Sequence, residues 1–156
     1  MIVEATTCDF EALLKGTAPR NLRVVRDGTI APPDVLEMLS KLADEIRPWF
    51  APSAWLIVGE DEVVGLCSIV RVPQGGDIHI GYGVAPARQG RGYTSRAIGE
   101  LLSWGRADPR VVQISAETGV ENIASQRVLE RNGFIRIGER VDMEDGPLIC
   151  WRAMTA

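Results

Sequence analysis

A chain of 156 residues, 46% hydrophobic and 24% charged, has the size and composition of one globular domain that buries its own core. Its 17 basic and 21 acidic residues leave a net charge of −4, which excludes the broad positive footprint of a nucleic-acid or anionic-membrane binder, and no apolar run approaches the roughly 18 residues of a membrane span. Cys8, Cys67 and Cys150 are odd in number and widely separated, so neither a disulfide framework nor a metal site is predicted, and the expected compartment is reducing.

In chain order, Ile2 to Ala5 reads as a short strand and Asp9 to Lys15 as a short helix ended by Gly16 and Pro19. The N-terminal segment lacks a basic start followed by a long apolar core, so the expected location is cytoplasmic. Asn21 to Arg26 alternates weakly, as an edge strand does. Pro32 and Pro33 open a clearer helix, whose Val35, Leu39, Leu42, Ala43 and Ile46 form one apolar stripe ended at Pro48. Trp49 to Trp55 is aromatic and irregular, either a core corner or one wall of an acceptor pocket. Ala54 to Val58 and Val63 to Val70 read as a hairpin of buried strands joined at Glu60-Asp61-Glu62, and Asp77 to Val84 as the next antiparallel strand.

At the end of that strand comes a basic, glycine-containing turn, Arg88-Gln89-Gly90-Arg91-Gly92, and then a helical pattern from about Thr94 through Ala97, Ile98, Leu101, Leu102 and Gly105. A helix N-terminus leaves backbone N–H groups unpaired and carries roughly half a positive charge, so strand, glycine turn and helix together suit an anion. A plain strand-to-helix connection is the other reading of this segment. Val111 to Ala116 follows as a strand parallel to Asp77–Val84, with a right-handed crossover between them. Asn122 to Asn132 is helical and stops at Gly133; Phe134 to Val141 and Leu148 to Met154 are strands about the Asp145-Gly146-Pro147 turn. The predicted fold class is α/β: a mixed, mostly antiparallel sheet with helices on both faces, in one domain spanning 1–156.

Two separated segments resemble one family, the GNAT superfamily of N-acetyltransferases. The turn VAPARQGRGYTSRAI is similar to its acetyl-CoA pyrophosphate loop, with Gln89 and Gly92 at the first and fourth positions and Thr94 where Gly or Ala is usual. NIASQRVLERNGF, Asn122 to Phe134, is similar to its second signature, and the pair looks most like the branch that acetylates ribosomal-protein N-termini. The resemblance covers roughly Ala54 to Arg140 and implies the acyl-CoA N-acyltransferase fold.

Acetyl transfer to an amine requires an anchored cofactor, a donor to the thioester oxyanion, a base for the ammonium proton and an acid for the departing thiolate. The resemblance implies acetyl-CoA as cosubstrate, held at its pyrophosphate by backbone amides of Gln89, Gly90, Arg91, Gly92, Tyr93, Thr94 and Ser95. It implies Val84 and Ala85 along the pantetheine arm, with the Val84 amide as oxyanion donor. Asn122 is implied as a partner of the pantetheine amides, a helix N-cap being its other open role. Relatives carry a tyrosine acid where this chain has Leu129, so Ser125, or a water it holds, is the substitute, against ordinary helix polarity. For the base, Glu117 stands five residues before Asn122, as in N-terminal acetyltransferases; a solvated loop glutamate is the alternative. His79, the only histidine, is the second base candidate, on one strand face with Asp77 and Gly81 and turned toward an acceptor cleft or a helix.

The implied function is acetyl-CoA-dependent N-acetylation of a primary amine on a small molecule or protein N-terminus. A catalytically inactive CoA-binding sensor or interaction module is the alternative. A nucleotide-binding domain is disfavoured, since neither GxxxxGK[ST] nor GxGxxG follows the strand. The C-terminal strand offers an edge for a homodimer.

Overall fold

The computed structural model describes all residues from Met1 to Ala156. The elements are β1 Ile2–Glu4, α1 Thr7–Leu14, β2 Arg23–Val24, α2 Pro33–Ile46, β3 Ala54–Gly59, β4 Glu62–Ile69, β5 Asp77–Val84, α3 Tyr93–Ala107, β6 Gln113–Gly119, α4 Ile123–Arg131, β7 Ile135–Asp142 and β8 Gly146–Met154. One sheet runs in the order β1-β3-β4-β5-β6-β8-β7. Along it only β5 and β6 are parallel; every other pair is antiparallel.

Local chemistry sets the elements. A reciprocal capping box starts α1, where Thr6 Oγ1 accepts from the Asp9 N–H at 3.3 Å and Asp9 accepts from the Thr6 N–H at 2.8 Å. The helix therefore begins two residues before the Asp9 expected from periodicity. The β3–β4 turn puts Glu60 and Asp61 at φ 53° and 62°, the left-handed pair that matches a two-residue hairpin to strand twist. Only Arg23 and Val24 of the expected edge strand pair, parallel to the start of β4, beyond the point where β5 ends.

Strand alternation divides the core. Trp55 and Ile57 of β3, with Ile78 and Ile80 of β5, pack beneath α3 and α4, whereas Ala54, Leu56 and Val58 meet Phe10 of α1 and Leu36 and Ala43 of α2 on the other face. The aromatic stretch is a core corner: Phe50 and Trp55 set their rings edge-on to Trp104 of α3 at 6.2 and 5.0 Å between centroids, and of its aromatic residues only Trp49 is exposed.

The sixth strand departs from the sequence reading. Val111 and Val112 belong to the turn after α3, and the strand runs on from Gln113 to Gly119, because β8 continues to pair with it as far as Gly119↔Leu148. Glu117 is thereby a strand residue, not a loop one. No helix is long and apolar enough to cross a membrane.

Candidate active site at the β5–β6 splay

β5 and β6 pair from Asp77↔Gln113 to Ile80↔Ala116 and then part, β5 staying with β4 and β6 with β8. The direction of the freed backbone follows from the ladder. The Val70 N–H donates to His79 O at 3.0 Å and the Ala85 N–H to Val64 O at 2.7 Å, so Gly81, Gly83 and Ala85 turn their backbone groups to β4. Tyr82 and Val84, by alternation, turn theirs into the gap. The Val84 carbonyl accepts from Gln89 Nε2 at 3.3 Å, and its N–H meets no neighbouring strand. Ala85, expected beside Val84 on the pantetheine arm, is fully buried with its amide committed to β4.

The gap widens into a cleft of about 420 Å³. On one wall, Gly90 and Gly92 sit at φ 78° and 79°, conformations that carry a penalty for any residue with a Cβ. Gly92 caps α3 without a side-chain bond, and the first helical bond is Arg96 N–H to Gly92 O at 3.1 Å. The N–H groups of Tyr93, Thr94 and Ser95 therefore have no helical acceptor, and all three residues line the cleft with Gln89, Gly90 and Gly92.

The charge of the cleft has another source than the turn's own arginines. Arg88 lines it but is gripped by Glu62 at 2.6 and 3.1 Å and by Asp27 at 3.1 Å, so it fastens the turn to β4. Arg91 lies outside the lining, its carbonyl taking Arg96 Nη2 at 3.1 Å. Arg127 and Arg131, one turn apart on α4, line the opposite wall, and no carboxylate does. Periodicity shows these two on a common helix side, but only the docking of α4 against α3 turns that side to the cleft. Asn132 fixes that docking, donating to Ser95 O at 3.1 Å and to Val128 O at 2.8 Å.

At the floor, Asn122 lines the cleft and caps α4, its Oδ1 accepting from the Ser125 N–H at 3.2 Å. Ser125 Oγ lies 2.7 Å from the Tyr82 hydroxyl. Burial pushes the Tyr82 phenol up to about 12, against a smaller opposing pull from the Ser125 bond, so the phenol keeps its proton at neutral pH. Leu129 is fully buried in the core. A tyrosine is thus present at the cleft after all, supplied by β5 instead of α4. The sequence reading missed it, although alternation puts Tyr82 on the sheet face opposite His79.

The base candidates lie on the other face of the sheet. Neither Glu117 nor His79 lines the cleft; instead β5 and β6 bring them together, with His79 Nε2 3.2 Å from Glu117 Oε1. His79 Nδ1 is 2.8 Å from Ser115 Oγ, which donates to Asp77 Oδ1 at 2.7 Å. Since the one Ser115 proton goes to Asp77, Nδ1 is the protonated nitrogen, and the bare Nε2 faces a carboxylate. That contact is a vacancy for one proton. Burial, helped by the Arg71 charge and opposed by Glu117 and Asp77, lowers the His79 pKa. Arg140 of β7 donates to Glu117 Oε2 at 2.6 Å.

Comparison with known proteins identifies the family and the fold. Residues 2–135 match the family model described as an acetyltransferase (GNAT) domain. The chain is 33% identical over 85 residues to the uncharacterized N-acetyltransferase YjdG of Bacillus subtilis, covering 53% of this chain and 51% of that protein. It is 30% identical over 113 residues to the uncharacterized N-acetyltransferase p20 of Bacillus licheniformis, covering 71% and 62%. The matches thus span about half to three fifths of the length of those relatives. Among solved structures, a ribosomal L7/L12 alpha-N-protein acetyltransferase, RimL, in complex with coenzyme A superimposes with a TM-score of 0.73 at 18% identity, over 98% of this chain and 92% of that one. A mutant of the spermidine N-acetyltransferase SpeG of Vibrio cholerae gives 0.70 at 15%, over 99% and 95%. The aminoglycoside acetyltransferase AAC(6')-Ib in complex with coenzyme A gives 0.68 at 15%, over 99% and 94%. With the family model covering most of its length, this chain belongs to the GNAT acetyltransferase family.

Proposed function

We propose that this chain is an acetyl-CoA-dependent N-acetyltransferase, with residues 1–156 acting as one domain, that delivers acetyl by direct attack to a primary amine of a small molecule or protein N-terminus. The observation that carries this reading is the β5–β6 gap, which exposes the backbone of Tyr82 and Val84 beside a helix N-terminus suited to an anion. The cosubstrate supplies an activated thioester and a pyrophosphate, and the residues present suit both. Unpaired N–H groups of Tyr93, Thr94 and Ser95, left-handed glycines at 90 and 92, and Arg127 and Arg131 favour a pyrophosphate in a cleft that no carboxylate lines. Asn122 stands where a pantetheine amide would pass.

The division of labour follows the two faces of the sheet. Val84 N–H, in the gap, donates to the thioester carbonyl oxygen as charge grows there. Glu117 and His79 act as one base: the ammonium proton goes to Glu117 and fills the vacancy against His79 Nε2. Tyr82, held protonated by burial and bonded to Ser125, returns a proton to the departing sulfur. The nitrogen gives up two protons: the first enters the Glu117–His79 base before attack and passes to solvent, and the second leaves as the N–C bond forms and the C–S bond breaks, restoring the Tyr82 phenol whose own proton went to the sulfur. Ser115 with Asp77, and Arg140, hold the base in place. The C-terminal strand β8, expected to offer a homodimer edge, is paired on both sides by β6 and β7, so the edge left free for a homodimer is that of β7.

Acetyl-CoA-dependent thiol release over a panel of amines, with calorimetric titration of coenzyme A, tests the reading. Turnover with any amine supports it. Tight binding without turnover over the whole panel would instead make the chain a CoA-binding module, and no binding would remove both.

A further inference from the structure

A second cavity, about 240 Å³, lies on the α2 side of the sheet and shares Tyr82 and Gly83 with the cofactor cleft. The two spaces therefore approach β5 from its opposite faces at the same residues. Val35 and Leu39 of α2, Ile30 of the preceding loop and Leu66 of β4 form its walls, and no charged residue lines it. Ser68 is the exception to this apolar lining. It is only 3% exposed, and its Oγ has no hydrogen-bond partner anywhere in the protein.

A buried hydroxyl without a partner is costly to keep and is seldom left so unless something outside the protein supplies the bond. The floor beside it is glycine. Gly81 pairs with Ser68 across the β4–β5 ladder, and a Cβ built at Gly83 would meet no atom within 4 Å. Ile80 is the last β5 residue to pair with β6, opposite Ala116, so β6 carries Glu117 just past the point where the strands part, on the same face as Gly81. Ser68, Gly81 and Glu117 thus share one face of the sheet, and Val70 Cγ1 lies 3.3 Å from where a Gly81 Cβ would stand. A molecule seated on Ser68 is on the same side of the sheet as Glu117 and His79.

We propose, resting on the acetyltransferase reading above, that the acceptor is a small primary amine with a compact, uncharged apolar body and one hydroxyl or carbonyl group for Ser68, and that polyamines and aminoglycosides are rejected. Each further ammonium of a polycation would lose its water in an apolar cavity that offers no carboxylate to replace it. The acceptor's single ammonium is met by Glu117. A cavity of about 240 Å³ leaves room for a branched aliphatic group.

The probes are leucinol, its analogue lacking the hydroxyl, spermidine, ribostamycin, and peptides beginning with Ala or Ser. Thiol release with acetyl-CoA and calorimetric titration of each amine into the protein saturated with coenzyme A are both measured. Leucinol should exceed spermidine and ribostamycin in kcat/KM by at least about tenfold, one unpaired group's worth of discrimination. Ser68→Ala should raise the KM for leucinol about tenfold, the loss of one hydrogen bond, leaving the KM values of the deoxy analogue and of acetyl-CoA unchanged. Leu39→Asp, which adds a carboxylate to the wall, should move the preference toward spermidine. Higher kcat/KM for spermidine, ribostamycin or the peptides overturns the proposal, as does a Ser68→Ala effect equal for leucinol and its deoxy analogue. Failure of acetyl-CoA to bind removes the catalytic reading instead, and titration of each amine into the free protein then reads the cavity, where the absence of leucinol binding overturns this proposal.

Discussion

Tyr82→Phe separates the phenol as an acid from the ring as packing. The substitution keeps the ring against the core and deletes only the hydroxyl and its 2.7 Å bond to Ser125. Its stability cost is about 1 kcal/mol for one hydrogen bond, reduced because Ser125 is part-exposed and can turn to water, so Tm should fall by roughly 2–4 °C for a chain of this length. The catalytic cost is of another order. A positioned general acid contributes about 10²–10⁴-fold, so kcat should fall at least about 100-fold with coenzyme A affinity within about twofold. Because the phenol is pushed up to about 12, it holds its proton throughout neutral and mildly alkaline pH, and no alkaline loss of kcat in that range belongs to it. The assay is stopped-flow thiol release at saturating amine on the wild type, Tyr82→Phe, Ser125→Ala and the double variant. If the pair passes the proton as a unit, the double variant should be no slower than Tyr82→Phe. An unchanged kcat in Tyr82→Phe, or strictly additive losses in the cycle, would refute the assignment.

Glu117→Gln should lower kcat by about 100-fold or more and leave coenzyme A affinity intact, since the residue lies on the face away from the cleft; a loss confined to cofactor affinity would contradict that placement. Gly92→Val forces a β-branched residue to φ 79°, with its Cβ 2.9 Å from Arg96 Nη1, and strain of about 1–3 kcal/mol should weaken coenzyme A binding by tenfold or more in calorimetry. His79 makes stability fall on mild acidification. Burial, then the Arg71 charge, sets its folded pKa below its ordinary 6.5, so the unfolded chain takes up the proton first. The stabilisation is fully present above about pH 6.5 and is lost as pH falls toward the folded value. Denaturant midpoints between pH 8 and pH 5 should show a decline that His79→Gln flattens, and an equal decline in the variant would assign it elsewhere.

The order of elements was legible because most of it is written in local chemistry. Pro33 opens α2, Gly133 at φ 80° closes α4, and alternation marks the strands. The extent of β6 was not, because β8, some thirty residues later, sets it through pairing that no local pattern encodes. Val84 shows how the two levels combine. Its place at the end of a strand before a glycine turn is a sequence fact, but its free N–H exists only because β6 leaves β5 after Ala116.

The sequence by itself determined the glycine turn and its helix, the Asn122 cap and the family signatures, all of which depend on neighbours within a few residues. Tertiary structure decided which groups share a site. Tyr82 meets Ser125 across 43 positions, His79 meets Ser115 across 36, and Glu117 meets Arg140 across 23. It also tied Arg88 to Glu62 at the edge of the cleft, and brought Arg127 and Arg131 to the cleft wall. Side-chain chemistry at such separations is set by strand register and helix docking, which arise only when the whole sheet is assembled.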